Sequence, residues 1–428
     1  MLDKLPKPGR RFTQQAGWAL IDQALYGVSN FLANTLMARW LEPAEYGAFA
    51  VGWLVLLIGF QVQNPLITEP LAVYTPSRFR LAPHIYQQQV VQLHWLLTGL
   101  ASLVFLVLAW LQTDTAFRGV YLGLAVALPF VQYGMLARRI CYANLVPKLS
   151  ALGGLIYLPL FVLSTLALQQ VSWLNALTAM TLMGLASLVS GHWVIFLWKR
   201  GSSPELTPSP LRQFTAWFSL FRMVLRYHWR YGRWGLPASL LWVVVSSLPY
   251  LLLLRTHSLE AVAELRVLEN TIAPVNSFLS AFNSLMLPAF ARASSLAALD
   301  RMVWRYALFF CGISTIVWIG MTWLHDPIFV LLYGTNYRNI SHYLPWFALV
   351  PLFTWLGEVF FSAFRALEQP RWIAWLYAIA SISMAVLGGF LIKRFELHGA
   401  VLSILFIQIL LAAMALALWL SFGRHARR

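Results

Sequence analysis

Negative charge is scarce in this chain. Only 15 Asp and Glu stand against 31 Lys and Arg in 428 residues, and charged residues of both signs make up 11% of the total. Soluble globular domains carry about 25% charged residues, so this composition excludes that class. Cysteine is nearly missing as well. Cys141 and Cys311 lie in or beside apolar runs, where a free thiol behaves as a small hydrophobe, and two such residues make neither a disulfide framework nor a metal site. There is no glycine-rich Walker loop, no HExxH and no Cys/His ligand spacing, which excludes ATP hydrolysis by this chain and the common zinc chemistries. The nine histidines are scattered. His84, His228, His257, His325, His342, His398 and His425 read as loop or interfacial residues, and only His94 and His192 have apolar settings. No cofactor is expected.

What is abundant is apolar. Hydrophobic residues make up 60% of the chain and the mean hydropathy is +0.67. Runs of roughly 20 apolar residues, enough to cross about 30 Å of hydrocarbon as helix, centre on Leu25, Leu56, Leu103, Val126, Leu160, Gly184, Val245, Ile272, Ile316, Phe353, Ala380 and Leu410. The fold class is therefore an all-α polytopic membrane protein, with about 12 transmembrane helices expected. The eighth run has the least support from hydropathy, because it contains Glu260, Glu264, Arg266 and Glu269. The first is too long for a cleavable signal peptide and contains Asp22, so it is expected to remain as a membrane helix.

Lys and Arg orient such a chain by their excess on the cytoplasmic side. With the N-terminus inside, only Arg39, Arg118, Arg255, Arg266, Arg338, Lys393 and Arg394 fall outside. Both termini are predicted to be cytoplasmic. The net charge of +16 is accounted for by topology and anionic headgroups, and nucleic acid is not an expected partner.

The longest hydrophilic interval divides the runs six and six. It predicts an N-terminal lobe over 1–198, a cytoplasmic linker over 199–233 and a C-terminal lobe over 234–428. Within the linker, 201–210 is a Pro/Ser stretch that cannot continue a helix. Phe214, Trp217, Phe218, Phe221, Leu225 and Trp229 then recur at helical spacing beside Arg222, Arg226, Arg230 and Arg233, the pattern of an interfacial amphipathic helix. A shift of 216 residues sets Trp18 on Trp234, Leu36 on Leu252 and Arg39 on Arg255, a weak internal repeat that suggests two six-helix lobes of parallel topology.

Polar residues concentrate in particular runs. The first carries Asp22, Gln23, Asn30 and Asn34. The second carries Gln61, Gln63 and Asn64, and the eighth Arg266, Glu269, Asn270, Asn276 and Asn283. Such groups are costly against lipid and should face the bundle interior, which predicts a central polar cavity between the lobes. Each Asn or Gln also fits ordinary interhelical hydrogen bonding. Asp22, Glu269 and Glu358 are the carboxylates that fall within runs. Arg266 is the candidate cation for an anionic substrate, unless Glu264 or Glu269 neutralises it.

Three segments resemble a known family: 18–25 (WALIDQAL), 38–47 (ARWLEPAEYG) and 332–337 (LYGTNY). They look like Wzx-type polysaccharide flippases of the multidrug/oligosaccharidyl-lipid/polysaccharide (MOP) exporter superfamily. The resemblance implies a bacterial inner-membrane flippase. It would carry undecaprenyl-diphosphate-linked oligosaccharide to the periplasmic leaflet by alternating access, for O-antigen, capsule or exopolysaccharide. It further implies Arg266, Asn30, Asn34, Gln61, Asn64, Asn270 and Asn276 as substrate contacts and Asp22, Glu269 and Glu358 as ion-coupling groups for an H+ or Na+ gradient. Membrane lipids, a polysaccharide polymerase and chain-length proteins are the implied partners. The first run has no internal Arg, unlike the lipid II branch, so lipid II is not the expected cargo. Three other readings stay open: a cation-coupled multidrug exporter of the same superfamily, a membrane glycosyltransferase or polymerase, and a non-transporting scaffold. The first of these would favour acidic groups without a basic centre. The second usually brings a large extracytoplasmic loop or an Asp-rich motif, and neither is seen.

The charge topology is directly testable. A fluorescent reporter fused after Arg428 is expected to fold on the cytoplasmic side and an alkaline phosphatase fused there to stay inactive; the reverse pattern refutes the orientation.

Overall fold

The computed structural model describes residues 10–41, 43–200, 210–257, 259–333 and 337–426. It is all-helical, with no strand among the described residues, and nine helical stretches there are long and apolar enough to cross a membrane. The chain is a multi-pass membrane protein. In hydrocarbon every backbone N–H and C=O must bond within the chain, and helices achieve this locally.

The helices divide into two compact units, 1–232 and 233–428. The first unit holds α1 (Arg10–Trp40), α2 (Pro43–Gln63), α3 (Glu69–Tyr74), α4 (Pro83–Leu111), α5 (Thr115–Ala143), α6 (Pro147–Gln170) and α7 (Ala176–Arg200). Pro43, Pro83 and Pro147 each open a helix, where the missing N–H costs nothing. Between α2 and α3, Asn64–Thr68 forms a π-helical turn around Pro65. Leu145 and Ser172 leave α5 and α6 with φ of 57° and 58°, the left-handed conformation that closes a helix end. Glu45, from the 38–47 segment, accepts the N–H of Ala176 at 2.7 Å and so caps α7. Glu42 of that segment lies outside the described residues.

Small residues let α5 and α7 touch. A methyl group on Gly184 would stand 2.8 Å from Ala127 Cα, and one on Gly191 3.1 Å from Gly134 Cα. Close backbone approach gains dispersion energy that apolar bulk cannot supply between helices already surrounded by lipid tails.

The boundary between the units falls inside α8 (Pro210–Thr256), a single 47-residue helix. The amphipathic stretch of the linker is thus continuous with the seventh apolar run, and 201–209 lies outside the described residues. His228 corrects the sequence reading: it is not interfacial but 2% exposed. Its Nε2 pairs with the Tyr86 hydroxyl and its Nδ1 with the Leu66 carbonyl, each at 2.8 Å. Because α8 does not break, His228 is carried onto the first unit beside Tyr231, whose hydroxyl donates to Glu69.

The second unit continues with α9 (Leu259–Ala291), α10 (Leu296–Trp323), α11 (His325–Tyr333), α12 (Leu344–Phe347), α13 (Val350–Ala366), α14 (Pro370–Ser383) and α15 (Gly389–Ala426). Its core relies on aromatic packing. Phe310 stacks on Trp355, Trp304 meets Phe360 edge-on, and Phe364 meets Trp419; the Trp419 indole donates to Asp300. Glu396 has φ 50° and ψ −126° and turns the chain sharply within α15. Gly399 is required there, since a Cβ would lie 2.1 Å from the Leu391 carbonyl oxygen. Outside the apolar runs, Asp326 on α11 accepts from Ser341. That bond, with His325 and Arg338 nearby, holds its carboxyl below the usual carboxylate range. Residues 334–336 of the 332–337 turn lie outside the described residues.

Gly184→Val tests the α5–α7 contact. Overpacking against Ala127 backbone is expected to cost about 1–3 kcal/mol, read as a lowered melting temperature of the purified protein, whereas Gly99→Val, at a site with nothing within 4 Å, should leave it unchanged.

Candidate functional site

The first unit encloses a cavity of about 80 Å³ among α1, α2, α5, α6 and α7. Asp22 is the acidic residue on its wall, joined by Tyr26, Asn30, Arg138, Tyr157 and Ser187. Asp22 is 1% exposed. Its Oδ2 accepts from Arg138 Nη2 and from the Tyr142 hydroxyl, both at 2.8 Å, and its Oδ1 accepts from Ser150 Oγ at 3.0 Å. The Arg138 guanidinium also lies 4.5 Å from the centre of the Tyr26 ring. Helix periodicity creates this cluster: Asp22, Tyr26, Ser29 and Asn30 share one face of α1, and Arg138 and Tyr142 lie one turn apart on α5.

A buried pair of this kind is poised rather than inert. The low-dielectric setting strengthens the attraction, yet both ions have given up hydration, so removing either partner leaves an uncompensated charge. The size of the cavity sets what can enter. A water needs about 10–15 Å³ of such space, so in this conformation the site has room for a few waters or a small ion.

The sequence candidates separate into groups. Asp22 and Asn30 meet at this cavity. Gln61 is half-buried on α2. Asn64 sits in the π turn, where its Nδ2 donates to Glu69 and its Oδ1 accepts from Thr68, so the turn itself uses its hydrogen bonds. Asn34 is on α1 with its side chain outside the described residues. In the second unit Arg266 donates to Glu269 at 2.9 Å, one turn along α9, and Asn270 is exposed beside them. Asn276 accepts from the Trp355 indole at 3.1 Å, which makes it a packing contact. Glu358 is paired with Arg365 on α13.

Sequence reading missed Arg138, Tyr142 and Ser150. In sequence Arg138 and Arg139 read as cytoplasmic topology charges at the end of an apolar run, and nothing local marks the partner of Arg138 116 residues away. His94, for which no neighbour in sequence suggested a partner, bonds Gln63 and the Pro129 carbonyl. Among the described residues no group of three or more His, Cys, Asp or Glu could hold a metal ion.

The Asp22–Arg138 pair gives a stability prediction. Asp22→Ala should destabilise the protein by about 3–5 kcal/mol by stranding Arg138, and adding Arg138→Met should recover a large part of that loss. Equal or additive losses in thermal unfolding would show that the pair is not coupled.

No family model matches the chain, and no curated protein does. Solved structures do. A multidrug resistance MATE family transporter of the MOP superfamily, in an outward-facing conformation, has a TM-score of 0.77 at 13% identity, covering 98% of this chain and 97% of its own. A MOP superfamily transporter from Pyrococcus furiosus, described as having a binding pocket of reversed polarity, has a TM-score of 0.73 at 13% identity, covering 97% and 95%. A Vibrio cholerae MATE transporter has a TM-score of 0.74 at 14% identity, covering 98% and 97%. Over nearly its whole length, the chain has the fold of the MATE transporters of the MOP superfamily.

Proposed function

We propose that this chain is a cation-coupled secondary transporter of the bacterial inner membrane that exports amphipathic solutes, with Asp22 as the group that responds to the coupling ion. The observation that carries the proposal is a carboxylate buried at the wall of a cavity and bonded there to a guanidinium. A proton arriving at Asp22 would compete with Arg138 for Oδ2 and loosen the tie between α1 and α5. Metal ions such as Na+ prefer several oxygen ligands and little competing positive charge. One carboxylate already neutralised by Arg138 suits a proton better. The multidrug exporters among the structures of the same fold support this class of cargo.

A second reading keeps the flipping of undecaprenyl-diphosphate-linked oligosaccharide. The resemblance of residues 18–25, 38–47 and 332–337 to polysaccharide flippases favours it, while Arg138, already bonded to Asp22, supplies no unpaired cation for a diphosphate. The neighbour with a binding pocket of reversed polarity supports the idea that this fold accommodates both electrostatic characters. Arg266 is a weaker basis for that reading, since Glu269 neutralises it.

Proteoliposomes decide between the two. An imposed proton gradient should drive a cationic dye in wild-type vesicles, and Asp22→Asn should cut the rate about tenfold or more, while a Na+ gradient alone should drive nothing. If the dye stays put and a lipid-diphosphate oligosaccharide crosses instead, the flippase reading replaces the exporter.

A further inference from the structure

The first half of α8 carries a surface that the Asp22 site does not use. Its inward side is fixed by Val224, His228 and Tyr231, all buried in that unit. At about 100° per residue, Arg222, Arg226 and Arg230 fall on the opposite side, and all three are exposed. They rim one shallow groove with Phe218, Met223 and Tyr227. No carboxylate bonds any of the three among the described residues. Beside the stripe stand exposed apolar side chains: Phe218, Leu225 and Trp229, the last 62% exposed.

The position of this surface along the helix is set by length. The apolar stretch 234–254 supplies the roughly 20 residues a crossing needs, so 217–232 extends past the hydrocarbon edge. The headgroup layer is about 5–8 Å deep on each side, and at 1.5 Å per residue it covers the first four or five residues upstream of that edge. Trp229 and Arg230 fall there, Arg226 lies one turn beyond and reaches back with its long side chain, and Arg222 lies farther out in water. An indole at the headgroup level, an aliphatic flank and unpaired guanidinium groups one turn apart make a surface complementary to phosphodiesters held in a plane.

The geometry points to a binding site for anionic phospholipid headgroups, formed by Arg226, Arg230 and Trp229 with a lesser share from Arg222. The guanidinium groups take the phosphate oxygens, and Trp229 and Leu225 take the glycerol and upper acyl region. The occupant is a lipid rather than a soluble phosphate, because exposed Phe218, Leu225 and Trp229 stand beside the arginines and have no use for a free anion.

The test uses the full chain in mild detergent, with phosphatidylglycerol and phosphatidylcholine supplied in equal amounts and bound lipid counted by native mass spectrometry. Wild type is expected to retain phosphatidylglycerol in preference to phosphatidylcholine. Arg226→Gln/Arg230→Gln should weaken phosphatidylglycerol binding about thirtyfold, from about one tenfold step per 1.4 kcal/mol and about 1 kcal/mol per arginine at the surface. Arg222→Gln alone should weaken it less than about threefold, and Arg226→Lys/Arg230→Lys should keep most of it. Equal retention of the two lipids by wild type, or unchanged retention in the glutamine variant, overturns the site. Displacement of the lipid by millimolar inorganic phosphate assigns the arginines to a soluble anion and overturns the lipid. Should the glutamine variant fail to fold, the lipid preference of wild type and of the lysine variant decides in its place.

Discussion

Hydrocarbon offers no hydrogen bonds, and that constraint shapes every part of this chain. It makes the backbone helical, and it favours polar side chains in a span that find a partner within the protein. The partners are what organise the first unit. Asp22 draws α1 onto α5 and α6 through Arg138, Tyr142 and Ser150. Gln63 and His94 fasten α2 and α4 to the carbonyls of α5. His228 and Tyr231 hold α8 to the π turn and its flank. Apolar side chains fill the spaces between these ties but could slide along one another, so register comes from the polar contacts and from the glycines that let α5 and α7 touch.

The class of the fold was legible in composition, because few water-soluble arrangements exist for a chain so poor in charge. The polar runs were legible for the same reason, and Asp22 stood out as a carboxylate among apolar neighbours. What composition could not show was which polar groups answer one another. Arg138 sits beside Arg139 near the end of an apolar run, and a positive charge there looks like an orientation signal until α1 packs against it. His228 looked interfacial because the arginines around it are exposed. One face of a helix can be buried while the next is wet, and hydropathy averages over both. α9 shows the same averaging from the other side: it is a long helix whose polar residues keep it from being counted among the apolar spans.

The two halves of the Asp22–Arg138 pair meet from different helices. The carboxylate accepts three donors and so joins α1 to α5 and α6, while the guanidinium that satisfies it is a fixed cation at the same wall. In the second unit two ion pairs are local, Arg266 with Glu269 on α9 and Arg365 with Glu358 on α13, while Asp300 ties α10 to α15 through the Trp419 indole.

The π turn at Asn64–Thr68 sets which way each part of its span faces. A wide turn of this kind bonds each N–H one residue farther back than an α-helix does. Upstream of it, Trp53, Leu56 and Phe60 face the cavity; downstream, Glu69 faces Tyr231. With one residue fewer in the turn, everything beyond would rotate by about 100°, and one face would have to serve both neighbours. The wide turn gives a single span two independent faces, one for the cavity and one for the helix that leads out of the unit.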